Sequence, residues 1–252
     1  MPCCPLAPGA RLTGSGGDCY NAPAMSTVLF LLGSAALLVV LAWVTYQSGR
    51  LLRSVPVREN LLLAPVENAV KAGIIALCAG LAVLSGLPPA QFGWTLDHPS
   101  QDIAVGILAG LGTQVAVNLV THWAIRRYGK GVYSPVVMIN IFPRTRGEWL
   151  LVPAAMGLAV LLEEVLFRSL LLGGWSAWLP APLLLLVLGA VFGLMHSPQG
   201  TLGMVISSFV GMGLGGLFLW SGSLLTPFVA HYLINLLQLL RAREEWRWLQ
   251  EY

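Results

Sequence analysis

The chain has 252 residues, of which 56% are hydrophobic and only 10% charged, with a mean hydropathy of +0.76. A soluble domain carries about 25% charged residues, so this composition excludes an ordinary water-soluble globule. A net charge of +3, with the basic residues in short clusters beside apolar runs, also argues against a nucleic-acid-binding face.

The first 24 residues, rich in Pro, Gly and Cys, lack the basic start and following apolar stretch of a signal peptide. Residues 1–24 read as a disordered leader that can precede a true start at Met25, and a lipid on Cys3 or Cys4 is the minor alternative. Cys78 reads as a small packing residue inside an apolar run, and the four cysteines have no metal-type spacing.

Apolar runs then follow one another, each near the 17–25 residues that cross a bilayer. The first helix is expected from Ser26 to Tyr46, ahead of Arg50, Arg53 and Arg58. The second runs from Glu67 to Leu87 and stops at Pro88-Pro89. A polar connection with Asp97 and Asp102 leads to a third, from Ile103 to the basic group Arg126, Arg127 and Lys130. The fourth starts near Trp149 and runs through "LLEEVLFRSLLL"; the fifth covers Pro182–Met195, the sixth Thr201–Trp220 and the seventh Thr226–Leu240. The expected fold is an all-α, polytopic transmembrane bundle of about seven to eight helices around a polar chamber. The division is 25–90 for the N-terminal helices, 91–240 for the functional core and 241–252 for a basic, aromatic tail. Loops after spans one and three, and the tail, are cytoplasmic by the positive-inside rule. That places the N-terminus outside a cell membrane crossed many times. Gly211 and Gly215 form a small-xxx-small packing face on the sixth span.

Ionisable groups set deep in these runs are few: Glu163, Glu164 and Arg168 on the fourth, His196 at the end of the fifth, and His231 on the seventh, with Asn235 one turn on. A charge at mid-bilayer costs about 2.5–3.5 kcal/mol on insertion scales, so these groups need partners or work. Glu164 and Arg168 are four apart, on one helix face, and can pair. Glu163, turned about 100° away, is left with a carboxylate that can face a water. A carboxylate and an imidazole can hold and deprotonate that water. An imidazole and a carboxamide can donate to the oxyanion formed when it adds to an amide carbonyl. No Ser or Cys here has an evident base, which disfavours a covalent nucleophile. The same groups fit a proton relay in a transporter, but a transporter shows two related halves, and the polar residues occupy only the second half.

The motifs "EEVLFR", "FGLMH" and "HYLIN" match EExxxR, FxxxH and HxxxN, in order, each on its own apolar helix. In this the chain resembles the CPBP family of intramembrane proteases, which includes CAAX prenyl endopeptidases and bacteriocin-immunity Abi proteins. The similarity covers roughly Phe92 to Leu240. The resemblance implies an intramembrane endopeptidase acting on a membrane-associated or prenylated-type protein or peptide, with the lipid bilayer as its setting and no nucleic-acid partner. It implies Glu163 as general base, His196 orienting the water, Glu164 braced by Arg168, and His231 with Asn235 as the oxyanion hole; Phe192 would lie at the substrate. It also leaves a metalloprotease open, with Glu163, His196 and His231 as zinc ligands, although HExxH is absent. Metal-free hydrolysis is the favoured reading. A non-proteolytic scaffold or immunity protein is the alternative.

Overall fold

Gly and Pro punctuate the apolar runs and set where each helix begins and ends. The computed structural model describes residues 24–54 and 60–245. Cys3, Cys4, Arg58 and Arg247 lie outside the described residues, with the leader and most of the tail. The described chain forms eight α-helices and no strand. Helix α1 covers Ala24–Ser54. Helix α2, Pro65–Ser85, opens on a proline and closes on Gly86 at φ 71°, where the left-handed conformation suits a residue without Cβ. Helix α3, Pro99–Tyr128, again opens on proline, four residues ahead of the expected Ile103. A short α4, Val136–Ile141, had no counterpart in the sequence reading. Helix α5, Glu148–Glu164, continues without a break as a π-helical segment, Val165–Gly173. After a turn over 176–179 come α6, Ala181–Met195, α7, Gly200–Ser221, and α8, Leu225–Glu244.

Large apolar side chains cover the outside of the bundle: Leu32, Val39, Trp43, Val83, Leu108, Phe209 and Trp220 are all exposed. In water such a surface would aggregate; in a bilayer it is the lipid face. Among the described residues, five segments are long and apolar enough to cross a membrane: Met25–Leu52, Pro65–Ser85, Pro99–Tyr128, Glu148–Gly173 and Ser197–Ser221. The other two expected spans differ. Helix α6 has 15 residues, so it rises only about 22 Å, and the last turn of α8 carries Arg241 and Arg243.

Small residues decide how the helices meet. A Cβ on Gly106 would lie 2.8 Å from the Thr226 carbonyl oxygen, and one on Gly110 would lie 2.9 Å from that of Ala230. Helices α3 and α8 therefore run in the same direction at close range, and Thr226 Oγ1 donates to the buried Asp102 at 2.9 Å. Helix α6 lies antiparallel to α7, with Gly189 against Met212 and Gly193 against Met204 and Ser208. Gly215 meets Leu185 and Leu172, so the small face expected on this helix packs against both α6 and the π segment.

One end of the bundle collects the bases. The end of α1 meets the turn after α6, with Gly49 against Pro198, and Gly200 lies on the backbone of Val132 just past α3. Arg243 of α8 sits over the Trp149 ring at the start of α5, at 5.1 Å. Arg50, Arg126, Arg127, Lys130, Arg144, Arg146, Arg241 and Arg243 thus share this end, while Arg168 lies inside the bundle, 2% exposed.

Candidate active site

Glu163 and Glu164 occupy the last α-helical turn before the backbone widens into the π segment. Such a segment adds a residue to the turn and is often found at functional sites. It is wholly buried from Val165 to Gly173, and other elements clamp it. Ser169 Oγ donates to the Phe92 carbonyl at 2.8 Å, and Gln91 Nε2 donates to the Gly173 carbonyl at 2.9 Å. Gly93 beside them adopts φ 70°, and its carbonyl accepts the Leu224 N–H at 2.9 Å, which ties this clamp to the start of α8.

A chain of charged and polar groups crosses from α5 to α8. Arg168 Nη1 lies 3.1 Å from Glu164 Oε1, and both side chains are buried. The same guanidinium donates from Nη2 to the Gly211 carbonyl of α7 at 3.2 Å and sits 4.7 Å above the Phe192 ring. Glu164 Oε1 also accepts from His231 Nδ1 at 2.7 Å. A carboxylate only accepts, so Nδ1 carries the proton and Nε2 is the nitrogen turned to the far side. There Glu163 Oε2 stands 3.7 Å from Nε2, too far for a hydrogen bond. That oxygen has no hydrogen-bond partner, although the Glu163 side chain is 35% exposed against 0% for Glu164. The two adjacent carboxylates therefore differ in environment: Glu164 is fully buried with Oε1 between an arginine and an imidazole, whereas the Glu163 side chain is partly exposed and lacks such partners, although each keeps a buried Oε2 without a hydrogen bond.

His196 caps α6, and its Nδ1 lies 2.7 Å from the Phe192 carbonyl. Donation to that carbonyl leaves Nε2 as an acceptor for a water. Its ring lies 4.5 Å from that of Phe192, whose other neighbours are Phe167 at 5.1 Å and His231 at 5.9 Å. Phe192, expected at the substrate, is 2% exposed and contacts Arg168 and both histidines. Asn235 lies one turn past His231, half-buried, and makes no hydrogen bond to another described residue. Glu163, Glu164, Arg168, Phe192 and His231 thus meet directly; His196 joins through the aromatic ring, and Asn235 stands one turn away.

Residues 145–237, which hold all of these groups, match the family model described as Type II CAAX prenyl endopeptidase Rce1-like. The match covers 93 of the 252 residues and supports a likeness to the CAAX proteases over this stretch. No curated protein and no solved structure matches it. The matched family is one of peptidases, and the apolar helices make this chain a multi-pass membrane protein.

Zinc requires three or four N, O or S donors at about 2.0–2.3 Å. Among the described residues, no three His, Cys, Asp or Glu side chains gather closely enough to hold a metal. His231 gives one nitrogen to Glu164, and His196 makes no ion pair or hydrogen bond with Glu163 or His231. As placed here, the three candidate ligands do not fit zinc.

Two contributors escaped the sequence reading. Glu164 was assigned to Arg168 alone, yet it also holds His231. Gly211 was read only as a packing residue, yet its carbonyl takes an arginine proton. Nothing in the spacing of one helix reveals a partner on another. On α3, Gln114 Nε2 donates to Asn118 at 2.8 Å, a part-buried amide pair.

Proposed function

We propose that this chain is a CAAX-type protease that hydrolyses a peptide bond of a membrane-associated protein or peptide of the prenylated CAAX type, by direct attack of a water. The observation that carries the reading is the asymmetry of the two glutamates. Glu164 is fully buried and gives Oε1 to Arg168 and His231, while Glu163 has an unpartnered carboxylate oxygen 3.7 Å from His231 Nε2 on a side chain that is 35% exposed.

Glu163 accepts a proton from the attacking water, which His196 Nε2 holds from the other side as a hydrogen-bond acceptor. The water oxygen bonds to the amide carbon, and the carbonyl electrons move to oxygen. His231 Nε2 and the Asn235 carboxamide donate to that oxyanion. Donation from Nε2 while Nδ1 is held by Glu164 requires that the Glu164–His231 pair carry two protons between them. Collapse of the tetrahedral intermediate breaks the C–N bond, and Glu163 returns its proton to the leaving amine.

His196 and Asn235 both lie one turn from the deep cluster, toward the basic end of the bundle, so the site opens in that direction. The positive-inside rule makes that end cytoplasmic, with the N-terminus outside and the tail inside.

The test is Glu163→Gln in the full-length protein, assayed on a fluorogenic prenylated CAAX peptide in nanodiscs. Cleavage should fall by at least about a hundredfold, within the range for a general base, with an unchanged melting temperature. Wild-type rates in the variant refute the base assignment. A wild-type chain that binds the peptide but never cuts it favours the scaffold reading instead.

A further inference from the structure

The two imidazoles of the site come from different helices and share no hydrogen bond, yet the proposed chemistry needs them at a fixed separation. What they share is one side chain. The Phe192 ring lies 4.5 Å from the His196 ring and 5.9 Å from the His231 ring, and the Arg168 guanidinium rests on it at 4.7 Å. These are within the distances of favourable aromatic and cation–π contacts. Phe167 closes it from the side, edge-on at 90° and 5.1 Å.

The remaining side is closed by α7. A Cβ built on Gly211 would lie 3.0 Å from Phe192 Cδ1 and 3.3 Å from its Cβ and Cγ, so the backbone of α7 rests directly on the ring. The same residue's carbonyl accepts from Arg168 Nη2 at 3.2 Å. Gly211 therefore touches the plate twice: once through the missing side chain, and once through the arginine stacked on it. Gly213, two residues on, faces open space.

We infer that Phe192 is a positioning residue, a rigid aromatic plate that sets His196 and His231 relative to each other, and that Gly211 fixes where the plate sits. A packed aromatic ring in a close-packed interior cannot slide without moving what touches it. A methyl group at 211 must push the ring by a few tenths of an ångström, and Phe167, Arg168 and the two imidazoles stand in its way. The backbone tether of His196, whose Nδ1 bonds the Phe192 carbonyl, makes that histidine follow the same residue twice over.

This inference rests on the peptidase reading for its consequence, but its geometry can be tested without turnover. The full-length protein is labelled at the histidine Cε1 and studied by NMR in nanodiscs; resonances are assigned with His196→Gln and His231→Gln. An aromatic ring current shifts nuclei near it, so displacing the ring moves both signals. In Gly211→Ala and in Phe192→Leu the His196 and His231 signals are expected to move together, while those of His98 and His122 stay in place. Gly213→Ala should move none of the four. On the fluorogenic prenylated CAAX peptide, Gly211→Ala should lower kcat about three- to tenfold with KM unchanged, since misplacement of about 1 Å costs about a hundredfold. Phe192→Leu should lower kcat by itself, and adding Gly211→Ala to it should cost little more, because the added methyl then meets a smaller neighbour.

If the His196 and His231 signals stay fixed in both single variants, or only one of them moves, the shared plate is refuted. Equal movement in Gly213→Ala would refute the specific role of Gly211. If Gly211→Ala does not fold, the Phe192→Leu spectrum decides alone. Wild-type protein that fails to cut the peptide overturns the peptidase reading only, since the NMR result stands without it.

Discussion

Removing the Glu164 carboxylate should unfold the bundle more readily than any change at Glu163. In Glu164→Ala, Arg168 keeps the Gly211 carbonyl and the Phe192 ring but loses its only counter-charge within 4 Å, at 2% exposure. Breaking a buried pair from one side costs about 3–5 kcal/mol. His231 Nδ1 also loses its acceptor, and leaving a buried donor unpaired costs about 1–3 kcal/mol. The two effects share one carboxylate and do not add in full, so about 4 kcal/mol is the expected loss. For a chain of this size each kcal/mol moves the midpoint by about 2–4 °C, giving a drop of about 8–16 °C by tryptophan fluorescence in detergent. Glu163→Ala, at a side chain that is 35% exposed with no hydrogen bond from Oε2, should shift the midpoint by no more than about 2 °C, as expected away from such features. The paired variant Glu164→Leu/Arg168→Leu should be less destabilised than Glu164→Ala, because no charge is then stranded. Equal midpoints for Glu164→Ala and Glu163→Ala would refute the buried relay as a structural element.

The other two predictions concern residues at its edges. Asn235→Ala should lower kcat about 10²–10³-fold if the carboxamide is an oxyanion donor, with the melting temperature unchanged, since the side chain makes no hydrogen bond to another described residue; activity within threefold of wild type refutes that role. Gly106→Val should lower the melting temperature by several degrees, because its side chain would collide with the Thr226 carbonyl and Val229. Wild-type melting would show that α3 and α8 are not closely packed there.

Sequence reasoning reached the membrane setting, the helical class and the family because each rests on local information. Apolar run length is a property of consecutive residues, and so is the i, i+4 spacing that pairs Glu164 with Arg168. The places of misjudgement were non-local. The short α4 carries no period long enough to read. The bond from Glu164 to His231 joins residues 67 positions apart, and its existence depends on how α5 and α8 cross.

The chain of residues alone determined that backbone amides must be satisfied within helices, since a bilayer core offers no water to do it, and which few ionisable groups would have to be sheltered there. Only the packed bundle decided their division of labour. Glycines at 106, 110 and 211 let helices approach until one glutamate was captured between an arginine and an imidazole, while its neighbour, turned by one residue, stayed partly exposed. Contact between side chains on separate helices depends on interhelical distance, and that distance is set by the small residues at the crossings.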